Sequence, residues 1–242
     1  MVSKQKIINV GHLYPEHMNV YGDMGNVLAI VYRLESRGYI VKYQPINQLN
    51  EFVESDVDIL IGGGGQDSNQ LLIESDLKKY SKELKGACDD GMVNLMICGM
   101  YQLFGNYFLT ANGKKIQGAG IFNLYTEAST QRMIGNVKAK SQYGYLVGFE
   151  NHSGKTFLLD ETRPLATVYQ GGGNNGEDKT EGAMHLNSFG TYLHGPVLPN
   201  NPVLADEIIS RAVERKFGHK DLQPLDDKLE QQTSEHIRRL SY

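Results

Sequence analysis

The sequence predicts an α/β fold, a mixed, mainly parallel sheet flanked by helices, on three observations. Four short apolar runs occur in the first hundred residues, amphipathic helical patterns separate them, and turn residues close each run. The runs are Lys6–Val10, Tyr39–Tyr43, Val57–Ile61 and Val93–Ile97. Their largely unbroken apolar character suits strands covered on both faces. Val27, Leu28, Ile30, Val31 and Leu34 mark the first helix face, and Gly38 sits where its C-terminal cap would fall. Leu77, Tyr80 and Leu84 mark a second helix, ending near Gly86.

After about residue 116 the texture changes to short strand-like runs. These are Asn136–Ala139, Tyr145–Phe149, Thr156–Leu159, Ala166–Tyr169 and Thr191–Leu193. Glycine and Asn/Asp clusters separate them, most densely in Gln170–Gly176, so antiparallel hairpins extending the same sheet are expected. A helix then closes the domain, with Asn201 as cap and Pro202 in its first turn. Ala205, Ile208, Ile209, Ala212 and Val213 form its apolar face before Gly218. One domain over residues 1–218 is expected. Residues 219–242 are polar and read either as a docking helix or as a frayed tail.

Composition narrows the function classes. A chain of 242 residues can bury a full core. Its net charge of −4, with no Lys/Arg run, gives no general attraction to nucleic acid or to an anionic membrane. Two cysteines, Cys88 and Cys98, rule out a disulfide scaffold and suit a reducing compartment. The N-terminal segment has too short an apolar run for a secretory signal, and no stretch approaches the ~20 apolar residues of a membrane span. A cytoplasmic location without membrane insertion is therefore expected. No Cys/His/Asp/Glu cluster has zinc or iron spacing, so neither a metal nor another cofactor is expected.

Cys98 follows the strand run Val93–Ile97 directly and precedes Gly99 and an apolar helical turn. A residue at such a junction sits on a tight turn above the sheet edge, the geometry of a nucleophile elbow. The following helix and its N–H groups would favour thiolate there. A buried structural cysteine fits the same spacing. Cys88 lacks this context. Among the seven histidines, His194 ends a strand-like run where Gly195 and Pro196 stop it, placing an imidazole on the edge where Cys98 emerges. The run Gly62–Gly65 follows another strand and could offer a backbone donor to an oxyanion. A plain glycine turn is the other reading, while phosphate-loop patterns fail because Asp67 takes the last position and no Gly-Lys-Ser/Thr follows.

Taken with Leu13–Asn19, Tyr21–Asn26, Gly62–Asp67, Ile97–Gln102, Gly148–Gly154, Gly172–Gly182 and Gly190–Pro196, the chain resembles the class I glutamine amidotransferases. The match is to their cobyric-acid-synthase-like branch, and within it to glutaminases that serve lipid II isoglutaminyl synthases. It spans roughly residues 7–218. The resemblance implies a flavodoxin-like core and a glutaminase with Cys98 as nucleophile and His194 as base. It implies Gly64 and Gly99 at the oxyanion hole, and Arg132 as the group that holds the glutamine carboxylate. It also implies a heterodimer with a MurT-like ATP-dependent synthetase, which would use the ammonia to convert lipid II D-glutamate to D-isoglutamine. A stand-alone Cys–His hydrolase, an amidotransferase of a cobalamin-type pathway and a non-catalytic interaction module are the competing readings. One departure stands out. Many class I glutaminases place Glu two residues after the histidine, and here that position is Pro196. Either a local carboxylate or one from the partner subunit must orient His194, and the partner is the expected source.

Overall fold

The central sheet is built where the apolar runs lie. In chain order come β1 (Ile7–Leu13), α1 (Met24–Glu35), β2 (Ile40–Ile46), β3 (Ile59–Gly62), α2 (Asp67–Asp89), β4 (Val93–Ile97) and α3 (Gly99–Leu103). The computed structural model describes residues 6–160 and 162–240, so Ser241 and Tyr242, the end of the expected tail, lie outside it. β2, β1, β3 and β4 pair in that spatial order, all parallel. Ile59, Leu60, Ile61, Leu95, Met96 and Ile97 are fully buried, as strands covered on both faces must be.

The later strands do not extend this sheet as expected. β5 (Tyr107–Leu109), β6 (Lys115–Gln117), β7 (Leu124–Ser141), β8 (Gly144–Leu158), β9 (Ala166–Gln170) and β10 (Thr180–Glu181) form a second one. Its backbone is the antiparallel β7–β8 hairpin of 18 and 15 residues. The reason is visible in β8, where buried and partly exposed residues alternate. Such a strand has one wet face and cannot occupy a sheet covered on both sides. Only β11 (Ala183–His185) and β12 (Ser188–Thr191) return to the first sheet. β12 lies parallel to β4, and β11 closes that edge antiparallel.

α4 (Val197–Asn200), α5 (Pro202–Phe217) and α6 (Lys228–Arg239) complete the chain. α5 packs with α1 over β3 and β4, burying Ile208, Ile209, Ala212 and Val213. Asn201 does not cap α5 with its side chain. Its amide instead bonds both backbone groups of Val147 and the Val197 carbonyl, stitching β8 to the helix. The segment after Gly218 lies against the body of the protein. Buried Arg33 of α1 pairs with Asp206 of α5 at 2.7 Å and with Asp227, just before α6, at 2.6 Å. Arg37 donates to the Gln223 carbonyl, and Arg238 sits 4.2 Å from the Tyr145 ring.

A buried polar chain joins the two sheets behind the site. Gln70 of α2 donates to Gln102 of α3, and Gln102 donates to the Tyr192 hydroxyl at 3.1 Å. Tyr192 shares a 2.6 Å hydrogen bond with Thr156 of β8, which in turn bonds Thr126 of β7. Gln102, Tyr192, Thr156 and Thr126 are linked in series, which holds the junction in one register.

Candidate active site

Cys98 stands between β4 and α3 with φ +49° and ψ −105°, a conformation non-glycine residues rarely adopt. Such strain costs on the order of 1–3 kcal/mol and is held in place by its surroundings. Here the Cys98 amide donates to the Thr191 carbonyl of β12, while its carbonyl accepts from Gln102 in the helical turn. The Gly99 N–H acts on the sulfur in the direction of thiolate. Even so, burial pushes the thiol up to about 12. The Asp23 charge adds to that rise, while the Gly99 N–H and the Arg132 charge oppose it. The expectation of a ready thiolate is thus corrected. α3 has five residues, too little helix to offset full burial.

His194 lies just beyond β12, clamped to Phe149 of β8 by backbone hydrogen bonds in both directions. Burial lowers its imidazole to about 4, so the resting ring is neutral. The Tyr21 ring packs against it, with centroids 4.5 Å apart. Among the described residues neither ring nitrogen has a hydrogen-bond partner. Asp23 Oδ1 is 4.0 Å from Nδ1, and Asp23 is fully buried at the start of α1.

Gly64 is where these groups converge. A Cβ built there would lie 2.9 Å from His194 Cε1, 2.9 Å from Tyr21 Cδ2 and 3.4 Å from Cys98 Cβ. Its amide, however, donates to Asp23 Oδ2 at 2.6 Å. This corrects the expectation that Gly64 supplies an oxyanion donor, because an N–H already bound to a carboxylate does not face the cavity. Gly65 lines the cavity instead, and its nitrogen lies 3.1 Å from where a Gly99 Cβ would fall.

The cavity beside Cys98 has a volume of about 280 Å³. Tyr21, Gly65, Gln102, Arg132, Asn151 and His152 are among its lining residues. Arg132 reaches it from the bulge in β7 between Ala128 and Met133, and its Nε donates to Asn151 Oδ1 at 2.8 Å. A guanidinium so aimed suits a carboxylate ligand. His152 is buried and neutral, lowered to about 4 chiefly by desolvation. Its Nδ1–H donates to the Gly154 carbonyl, and its ring stacks on Tyr192 at 3.6 Å and 5°. Of the residues singled out in the sequence, Cys98 and Arg132 line this cavity, whereas His194 and Gly64 meet beside Cys98 without lining it, and Gly99 follows Cys98 at the start of α3. Reading the residues singly missed Tyr21, Asp23, Asn151 and His152. All four lie inside the segments Tyr21–Asn26 and Gly148–Gly154 that carried the resemblance.

A family model described as a CobB/CobQ-like glutamine amidotransferase domain matches residues 9–202. The chain is 40% identical over 210 residues to the lipid II isoglutaminyl synthase (glutamine-hydrolyzing) subunit GatD of Staphylococcus aureus, covering 86% of each chain. It is 39% identical over 232 residues to the protein of the same name from Streptococcus pneumoniae, covering 94% of this chain and 89% of that one. A solved glutamine amidotransferase superposes with a TM-score of 0.61 at 15% identity, covering 84% of this chain and 98% of that one, which concerns the fold alone.

Proposed function

The chain belongs to the CobB/CobQ-like glutamine amidotransferase family, and from that premise we propose that it is the glutamine-hydrolysing subunit of a lipid II isoglutaminyl synthase. The observation that carries the chemistry is the strained Cys98 turn, opening on a cavity that Arg132 lines, with His194 and Cys98 both converging on Gly64. Glutamine binds with its carboxylate on Arg132 and its side-chain amide over Cys98. The sulfur attacks the amide carbon as His194 takes the thiol proton, and the oxyanion is held by the N–H groups of Gly99 and Gly65. His194 then returns the proton to the leaving nitrogen. Ammonia departs, and water hydrolyses the glutamyl thioester to glutamate. Because the thiol sits near 12 and the imidazole near 4, proton transfer waits for substrate rather than preceding it.

The ammonia serves a MurT-like ATP-dependent subunit, bound as a heterodimer, that amidates the D-glutamate of lipid II in the cytoplasm. Among the described residues no helix is long and apolar enough to cross a membrane. Diazo-oxo-norleucine, a glutamine-shaped electrophile, is expected to add one label to Cys98, read by mass spectrometry of the digested complex. An unlabelled Cys98 in the complex would remove the reading. Arg132→Ala is expected to raise the KM for glutamine about 30- to 100-fold, the loss of hydrogen bonds to a charged group, with kcat changed far less. A fall confined to kcat would place the arginine elsewhere in the cycle.

A further inference from the structure

Resting on the glutaminase reading of Cys98, we propose that Asp67 holds the α-ammonium group of glutamine, so that Asp67 and Arg132 together select the free amino acid. Asp67 comes two residues after the glycine run Gly62–Gly65 and is the first residue of α2. A helix N-terminus behind a glycine run ordinarily serves anions. An aspartate at its first position repels them and attracts a cation instead. An acid in a first turn also offsets the helix dipole. Asp67 does more than that, because its side chain lines the cavity beside Cys98.

Of the described residues lining that cavity, Asp67 is the one acid and Arg132 the one permanent cation. They come from different layers, Asp67 from α2 beside the first sheet and Arg132 from the bulge of β7 in the second. The two do not pair with each other. Arg132 commits its Nε to Asn151, and Asp67 has no hydrogen bond or ion pair among the described residues. Both charges nevertheless act on the sulfur. Behind the larger effects of burial, Asp23 and the Gly99 N–H, Arg132 favours the Cys98 thiolate and Asp67 opposes it. Two uncommitted opposite charges within reach of one thiol suit a zwitterion. A free α-amino acid offers a carboxylate and an ammonium on the same carbon, with its side chain left to enter toward Cys98.

The other polar groups of the cavity suit an ammonium less well. Asn151 Oδ1 already accepts from Arg132, and Gln102 Oε1 accepts from Gln70. The His152 ring is neutral and held flat against Tyr192. Its Nε2 has no hydrogen-bond partner among the described residues, so it offers a lone pair but no charge. A hydrogen bond to an ionised acceptor is about twice as strong as a neutral one, which favours the carboxylate. Selectivity follows from the same contact. Acylation of the α-nitrogen removes its charge, so a glutamine inside a peptide or under an acyl group presents nothing for Asp67 to hold. The cavity therefore favours the free amino acid over amides that a Cys–His pair alone would treat alike.

The test compares three substrates in the assembled complex, parent and Asp67→Asn. They are L-glutamine, glutaramate, which is glutamine without its α-amino group, and N-acetyl-L-glutamine. In the parent, kcat/KM for the latter two is expected about 10- to 30-fold below that for glutamine, the worth of one exposed hydrogen bond between charged groups. Asp67→Asn is expected to raise KM for glutamine by about the same factor, with kcat within three-fold. Its kcat/KM for glutaramate should stay within two-fold of the parent's. Asp67 is exposed, so the substitution disturbs no packing. The unequal response is the deciding readout, because a weakened start to α2 would slow both substrates alike. A parent that uses glutaramate as well as glutamine overturns the proposal. So does a variant that loses both substrates equally, or one whose KM for glutamine stays within two-fold. A parent complex that releases no ammonia from glutamine would instead sink the glutaminase reading itself, and this assignment with it.

Discussion

Cys98→Ala is expected to abolish glutamine-dependent amidation by the synthase while leaving amidation from added ammonium salts unchanged. The substitution removes the sulfur and nothing else from the site. Cβ stays, and alanine meets the same positive φ that cysteine already tolerates. Loss of one buried thiol costs about 1 kcal/mol of packing, too little to unfold a domain of this size. Catalysis without the nucleophile is a different matter, and the glutaminase rate should drop about 10⁴-fold or more. Ammonium bypasses the step because the synthetase consumes ammonia whatever its source. The measurement is amidated lipid II formed per minute with glutamine and with ammonium chloride, side by side. A variant that uses glutamine normally would show that Cys98 is structural. Loss of both activities would show that the cysteine holds the complex together.

How much of this could be read from the chain depends on whether a feature is local. β1, β3 and β4 are legible because strands covered on both faces leave short, mostly apolar runs. The Cys98 turn is legible because a strand, a cysteine and a glycine adjoin in sequence. The second sheet is not, since alternation in β8 announces a strand with one wet face but not which layer it joins. Arg132 is poised by a bulge in β7, an irregularity the residue pattern does not display. The state of the Cys98 thiol depends on burial that the assembled fold provides, which outweighs the pull of the Gly99 N–H. Gly64 shows the limit most clearly. A glycine run tells that backbone amides are available, but which amide is free depends on Asp23, a residue from a different βα junction.

That same convergence yields the second large effect. Gly64→Ala is expected to lower kcat/KM for glutamine about 100-fold while the protein stays folded. The new methyl would lie 2.9 Å from both His194 Cε1 and Tyr21 Cδ2, closer than real Cβ contacts come, so at least one ring must move. The Gly64 amide remains bound to Asp23 and anchors the backbone, which leaves the rings to yield. His194 is tied to Phe149 only through its main chain, so its side chain can swing without breaking the strand pairing. Overpacking of this kind costs about 1–3 kcal/mol in stability, a few degrees in Tm for a chain of this length. Misplacing a catalytic group by about 1 Å is worth about 10²-fold in rate. The activity loss should therefore far exceed the stability loss, and thermal melts beside steady-state kinetics will read both. Activity within three-fold of the parent would mean that Tyr21 alone gives way, and that the imidazole keeps its place against the added methyl.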